Sequence, residues 1–164
     1  MKRIMNEIFA DSDAVNFGDL SPTTNELLQQ GVVAYRSDRA QADRIFREAL
    51  ARSPHELAAY LCLYKIHTYM GSLDFAAEVA RNGLREAARQ AGWSSDPKLW
   101  PSKAEARDGA ARFALFTLKA LSFIELKRGR GEAATEYLRI LSRSDPDGTV
   151  GWKVIQDLAQ GIVA

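Results

Sequence analysis

Few residues in this sequence have the type and spacing that chemistry requires. There are two histidines, His55 and His67, and one cysteine, Cys62. Zinc needs several Cys or His ligands at short spacings, and a nucleophilic cysteine needs a histidine held by a third group. Neither arrangement is evident. His55 falls in the first turn of an expected helix, where it is exposed. His67 falls on a packing face, where an imidazole satisfied by one hydrogen bond is the better reading than a ligand. Asp11, Asp13 and Asn16 hint at a calcium loop, but Val15 stands where a ligand is needed and Asn16 where the glycine is needed. Gly129-Arg130-Gly131 has no preceding strand and reads as a helix–helix turn, not a phosphate cradle. Glu125 lies inside an apolar helix, and a buried carboxylate can serve as a general base. Nothing else in the sequence converges on it, so a salt bridge to a nearby arginine is the stronger reading. We assign no catalytic residue, no metal ligand and no cofactor.

Composition narrows the class. The chain has 164 residues, 46% hydrophobic and 26% charged, values of an ordinary globular domain. Its 22 Lys and Arg nearly balance 21 Asp and Glu, so electrostatic capture of nucleic acid or anionic lipid is not expected. One cysteine cannot form an internal disulfide, which fits a reducing compartment. Asn6 and Glu7 interrupt the apolar residues after Met1-Lys2-Arg3, so no secretory segment is read there. The most apolar stretch, Phe113 to Leu126, contains Lys119 and Glu125 and is shorter than the ~20 residues of a membrane helix. A soluble cytoplasmic domain without membrane contact is expected.

The elements that must position any site are helical. Apolar residues recur with a 3.6-residue period, and no alternating run supports a strand. The periodicity predicts helices over roughly 22–36, 39–52, 55–70, 73–90, 103–128, 131–143 and 148–162. Ser53-Pro54-His55-Glu56, Thr23-Thr24-Asn25-Glu26 and Ser102-Lys103-Ala104-Glu105 read as capping boxes that start helices. Gly71-Ser72 and Gly129-Arg130-Gly131 read as places where one helix stops and the next begins. Residues 1–22 form a short amphipathic helix or an irregular segment. The stretch Ala91 to Pro101 carries Trp93, Pro97, Trp100 and Pro101 and is too rich in proline to be helical throughout.

Helix pairs recur along the chain. Ala42, Phe46, Ala49 and Pro54 have the same spacing as Ala134, Leu138, Leu141 and Pro146, and Ala76, Ala80, Gly83 and Ala88 fall in that register without the proline. Tyr60, Leu63 and Gly71 align with Leu118, Leu121 and Gly129, while Leu27 and Gly31 supply the first pair. This pattern resembles the tetratricopeptide repeat. The resemblance covers three copies, 23–56, 57–90 and 115–148, with an insertion at 91–114 and a cap helix at 149–163. It implies an all-α superhelix of three helical hairpins within a domain spanning 23–164. The copies depart from the family pattern: Ala80 and Leu138 replace the second-helix aromatic, and Tyr64 and Ser122 stand where a small first-helix residue is usual. At the end of the chain Val150, Val154, Leu158 and Ile162, joined by Ile155, make one apolar stripe suited to a terminal cap.

The arginines of the second helices interleave with Asp43, Glu48, Glu86 and Glu136, which suits a solvated face with ion pairs better than a nucleic-acid stripe. Repeats of this family bind along the first helices, and the resemblance places Leu28, Val32 and Tyr35, then Leu61, Lys65 and Tyr69, then Phe116, Lys119 and Phe123 on that concave face. Relatives that clamp a peptide carboxylate carry lysine and asparagine where Leu28 and Val32 stand, so that clamp is not expected here. An apolar groove dotted with tyrosine and lysine suits an amphipathic or extended segment. Two occupants fit it equally: a partner, or the chain's own N-terminal residues or tryptophan-bearing insertion. Of Trp93 and Trp100, one is expected to be packed and one partly exposed as a contact residue. Trp152 is read as able to face another subunit.

The functional expectation is a non-catalytic adaptor or chaperone for another protein, as a monomer or homodimer. A dimer would use the apolar breadth of Phe113, Phe116 and Phe123. The layout is similar to small bacterial three-repeat chaperones of secretion systems, which implies a secreted substrate. The tail from Asp145 to Trp152, running on into Asp157-Leu158-Ala159, resembles small helical-repeat proteins encoded among nitrogen-fixation genes, which implies a nitrogenase component or assembly factor as the partner.

Overall fold

A computed structural model describes residues 2–9 and 19–161. Helices α1 (Lys2–Ile8), α2 (Pro22–Tyr35), α3 (Arg39–Arg52), α4 (Leu57–Met70), α5 (Leu73–Ala91), α6 (Gly109–Lys127), α7 (Gly131–Ser144) and α8 (Lys153–Ala159) follow in order, with one 3-10 turn at Pro97–Leu99. No strand occurs among the described residues. The chain is all-α.

Two- or three-residue turns join α2 to α3, α4 to α5 and α6 to α7, and such short links make antiparallel helix pairs. Gly71 and Gly129 end α4 and α6 in the left-handed region, at φ 82° and 76°. Ser72 N–H reaches the His67 carbonyl at 2.9 Å, and Arg130 N–H reaches Glu125 at 2.8 Å. Both glycines thus sit where a side chain would be strained and the last carbonyls still find donors.

Each long helix packs on the next, and the first helices also touch in series: α2 on α4, α4 on α6, α6 on α8. Every residue of α6 from Phe113 to Glu125 is buried, so this helix is the middle of the core. By contrast α5 and α7 bury one stripe each, through Ala76, Ala80 and Leu84 and through Ala134, Leu138 and Leu141. Close approach depends on missing side chains. A Cβ on Gly83 would lie 2.8 Å from Tyr60 Cβ, and one on Gly31 would lie 2.7 Å from Phe46 Cδ1.

None of the three expected capping boxes caps its helix, although α2 begins at the expected residue 22. Ser53 ends α3 instead of capping α4, which begins at Leu57. The Glu56 carboxylate reaches away from its own helix and accepts Ser21 N–H at 2.8 Å. Helix α2 is capped by Ser21, whose Oγ accepts Thr24 N–H at 3.2 Å, with Pro22 in the first turn. Residues 103–108 are not helical: Lys103 and Ala104 donate to the Arg143 and Ser144 carbonyls at 2.9 and 2.8 Å. A satisfied link to the end of α7 outcompetes an extra turn on α6.

The last helix is also shorter than the expected 149–163. The Asp145 carboxylate accepts Thr149 N–H at 3.0 Å and Val150 N–H at 3.1 Å, holding 145–150 as a turn. Val150 and Ile155 are buried and Val154 and Leu158 half-buried, while Ile162 lies outside the described residues. Trp152 does not face outward. Its ring is buried and its indole N–H donates to the Asp145 carbonyl at 2.8 Å.

Candidate functional site

The face formed by α2, α4 and α6 carries the residues that family resemblance put forward, and α1, which packs against α8, brings Phe9 onto part of it. Phe9, just past the end of α1, inserts between α4 and α6. Its ring centroid lies 5.7 Å from Tyr69, 6.2 Å from Tyr64 and 6.5 Å from Phe116. The Lys65 ammonium stands 5.7 Å from the Phe9 centroid, and the Tyr69 hydroxyl donates to Asn6 Oδ1 at 3.2 Å. Ile8 and Phe9 are both buried. The chain's own N-terminal residues therefore occupy the α4–α6 part of this face.

The expected contact residues separate into groups. Lys65, Tyr69 and Phe116 meet around Phe9. Leu28, Leu61 and Phe123 are buried in the core, where they hold helices together and present no side chain to a partner. Lys119 is 1% exposed, with its ammonium 4.1 Å above the Phe116 ring and directed toward Gly151. It belongs to the interior of the α6–α8 seam. Val32 is 46% exposed and Tyr35 half-buried, with the Arg39 guanidinium 5.2 Å over its ring. The α2 end of the face is thus the open end. Phe113, Phe116 and Phe123 are all buried within the chain, which removes the apolar surface on which the dimer reading was based.

Tyr64 is the site residue that the sequence reading passed over. It is fully buried, its hydroxyl shares a 3.0 Å hydrogen bond with Thr117 on α6, and burial pushes its phenol pKa up. Its signal was the departure from the repeat pattern: a tyrosine where a small residue is usual. That ring helps to form the wall against which Phe9 packs. Ser122, the other departure, bonds the Leu118 carbonyl at 2.9 Å and remains in the core.

The tryptophan-bearing insertion does not enter this face. Trp100 is buried and Trp93 half-buried, their centroids 5.3 Å apart, and the Trp100 indole donates to the Ser94 carbonyl at 2.9 Å. Arg143 at the end of α7 donates to the Lys98 and Trp100 carbonyls at 3.0 and 3.2 Å. Leu99, at the tip, is 71% exposed.

The polar candidates are structural in their contacts. Glu125 is buried and pairs with Arg128 at 2.6 Å and Arg81 at 3.7 Å. His67 Nε2 meets Asp43 Oδ1 at 2.6 Å, its ring packs edge-on to Phe75 at 4.6 Å, and its buried Nδ1 has no hydrogen-bond partner. His55 is exposed, and its carbonyl accepts from Gln90 at 2.6 Å. Among the described residues no group of three or more His, Cys, Asp or Glu could hold a metal ion. The possible calcium loop of Asp11, Asp13 and Asn16 lies outside the described residues. The outer helices carry the expected ion pairs, among them Arg47–Asp43 at 2.9 Å, Arg52–Glu48 at 2.7 Å and Arg139–Glu136 at 2.8 Å. Among the described residues no helix is long and apolar enough to cross a membrane.

Compared with known proteins, the chain matches no family model, no curated protein and no solved structure.

Proposed function

We propose that this protein is a non-catalytic interaction module similar to tetratricopeptide-repeat domains, an adaptor or chaperone that binds an apolar or amphipathic segment of another protein along α2, α4 and α6. One observation carries the reading: a short helix already lies on this face, held by an aromatic anchor among Tyr64, Tyr69 and Phe116. A surface that accepts a helix through apolar anchors uses the helix-in-groove mode of recognition. The serial contact of α2, α4, α6 and α8 supports it, because a stack of packed pairs offers a rigid, elongated face. At the α2 end Val32 and Tyr35 extend this face beyond the reach of Phe9. Lysine and tyrosine at its margin orient a bound segment, and buried anchors supply the affinity.

The test is affinity capture from native cells with the unaltered chain and with a Val32→Glu, Tyr35→Ala variant, both checked for folding by circular dichroism. These side chains are not core residues, so the fold is expected to persist. A stoichiometric partner is expected to fall about tenfold or more with the variant. Equal recovery on both baits overturns the reading.

A further inference from the structure

Helix α1 spans seven residues, about two turns, and a helix so short is not stable alone in water. The surface beneath it therefore imposes its form. Ile8 and Phe9 are buried there, Asn6 accepts from Tyr69, and the Lys65 ammonium lies over the Phe9 ring. On the water side Arg3 and Glu7 are exposed and pair at 3.6 Å. This is an amphipathic ligand helix, supplied by the same chain. The docking of α1 rests on these contacts and not on a stability of its own.

We infer that α1 occupies the partner's site as a built-in competitor. The partner presents a short amphipathic helix with a hydrogen-bond acceptor, a spacer, an aliphatic and an aromatic residue, in the order of Asn6, Glu7, Ile8 and Phe9. This rests on the groove-binding reading and adds to it a ligand class and a gate. The two helices exclude one another because both need the space bounded by Tyr64, Tyr69 and Phe116. The Tyr69 hydroxyl selects the acceptor, and the cation at Lys65 favours an aromatic anchor over an aliphatic one. While α1 is docked the site is closed, so the apparent affinity for the partner is lowered in proportion to the closed fraction.

The test uses the full chain and a fluorescent peptide of residues 1–10. Phe9→Ala in the chain keeps the site and weakens its occupant. This variant is expected to bind the peptide at least about tenfold more tightly than the unaltered chain. A peptide carrying the same Phe9→Ala change is expected to lose that binding. In the unaltered chain, excess peptide is expected to speed hydrogen exchange of residues 2–9 while α4 and α6 stay protected, an arm that does not depend on how the variant folds. Either the affinity gain or the faster α1 exchange supports the inference; the absence of both overturns it and makes α1 a fixed part of the fold. If both are absent while Val32→Glu, Tyr35→Ala still loses the partner, groove binding stands and only the competition falls. If that variant also keeps the partner, both fall.

Discussion

The Glu56 carboxylate accepts the Ser21 backbone N–H at 2.8 Å and thereby ties the start of α2 to the start of α4. Nearby, Thr24 Oγ1 donates to Ser53 Oγ at 3.1 Å. The end of α3, the start of α4 and the start of α2 thus share one polar junction, and it sets how the first helix pair sits on the second.

Burial is the largest influence on Glu56 and raises its pKa, yet the hydrogen bonds from Thr24 and Ser21 together hold it below the ordinary 4.5. A carboxyl with a depressed folded value adds stability that is fully present above pH 4.5 and is lost as the pH falls through that folded value. Glu56→Ala is expected to cost about 1–3 kcal/mol at pH 7, since Ser21 N–H loses its acceptor. Urea unfolding at pH 7 and in acid checks this: the gap between variant and unaltered chain should shrink below pH 4.5.

Gly83→Ala adds one methyl to α5 where Tyr60 Cβ would stand 2.8 Å away. Alanine improves helix propensity by up to ~1 kcal/mol, but overpacking typically costs about 1–3 kcal/mol. The net effect is expected to be destabilising. Gly131→Ala, at a position with open space around the added carbon, serves as the control in the same urea series. A stabilised Gly83→Ala chain would show that the α4–α5 approach is looser than described.

Asp43 joins two partners, His67 at 2.6 Å and Arg47 at 2.9 Å. Burial raises its pKa most, but the hydrogen bonds and charges of His67 and Arg47 outweigh it and leave the carboxyl below 3.8. Its stabilising contribution is therefore full above pH 3.8 and disappears as the pH falls through the folded value. Asp43→Ala would leave both ring nitrogens of the buried His67 without partners, at about 1–3 kcal/mol. Thermal unfolding of Asp43→Ala and of Asp43→Ala, His67→Phe checks it, the second change being expected to restore part of the loss.

Glu125→Ala removes the closest anion from Arg128, whose side chain is 9% exposed and keeps Asp74 at 3.0 Å. Breaking a buried ion pair on one side costs about 3–5 kcal/mol, and the remaining Asp74 contact places the expected loss near the lower figure. Chemical denaturation of Glu125→Ala and Glu125→Gln measures it. Loss of partner capture without loss of stability would instead assign Glu125 to the binding face.

Helices α5 and α7 were legible because burial there is one-sided and periodic. Gly71 and Gly129 announced their turns because few residues other than glycine tolerate the left-handed backbone. Capping boxes misled for a related reason: Ser53 and Glu56 have the right types and spacing, but a carboxylate serves any nearby orphan N–H, and Ser21 comes close only after the chain has folded. Residues 103–108 failed likewise, since their alternative acceptors, the Arg143 and Ser144 carbonyls, are distant in sequence.

By itself the sequence determined an all-α chain with helices paired across short turns, and it marked the small residues that let those helices approach. These are local properties, set by period, backbone freedom and side-chain volume. Only the tertiary structure decided which apolar residues are core and which are surface: Leu61, Phe116 and Val32 have the same chemistry, and only packing buries the first two and leaves the third open. It also decided what lies between α4 and α6, because Phe9 and Tyr69 are far apart in sequence and no local pattern encodes their contact.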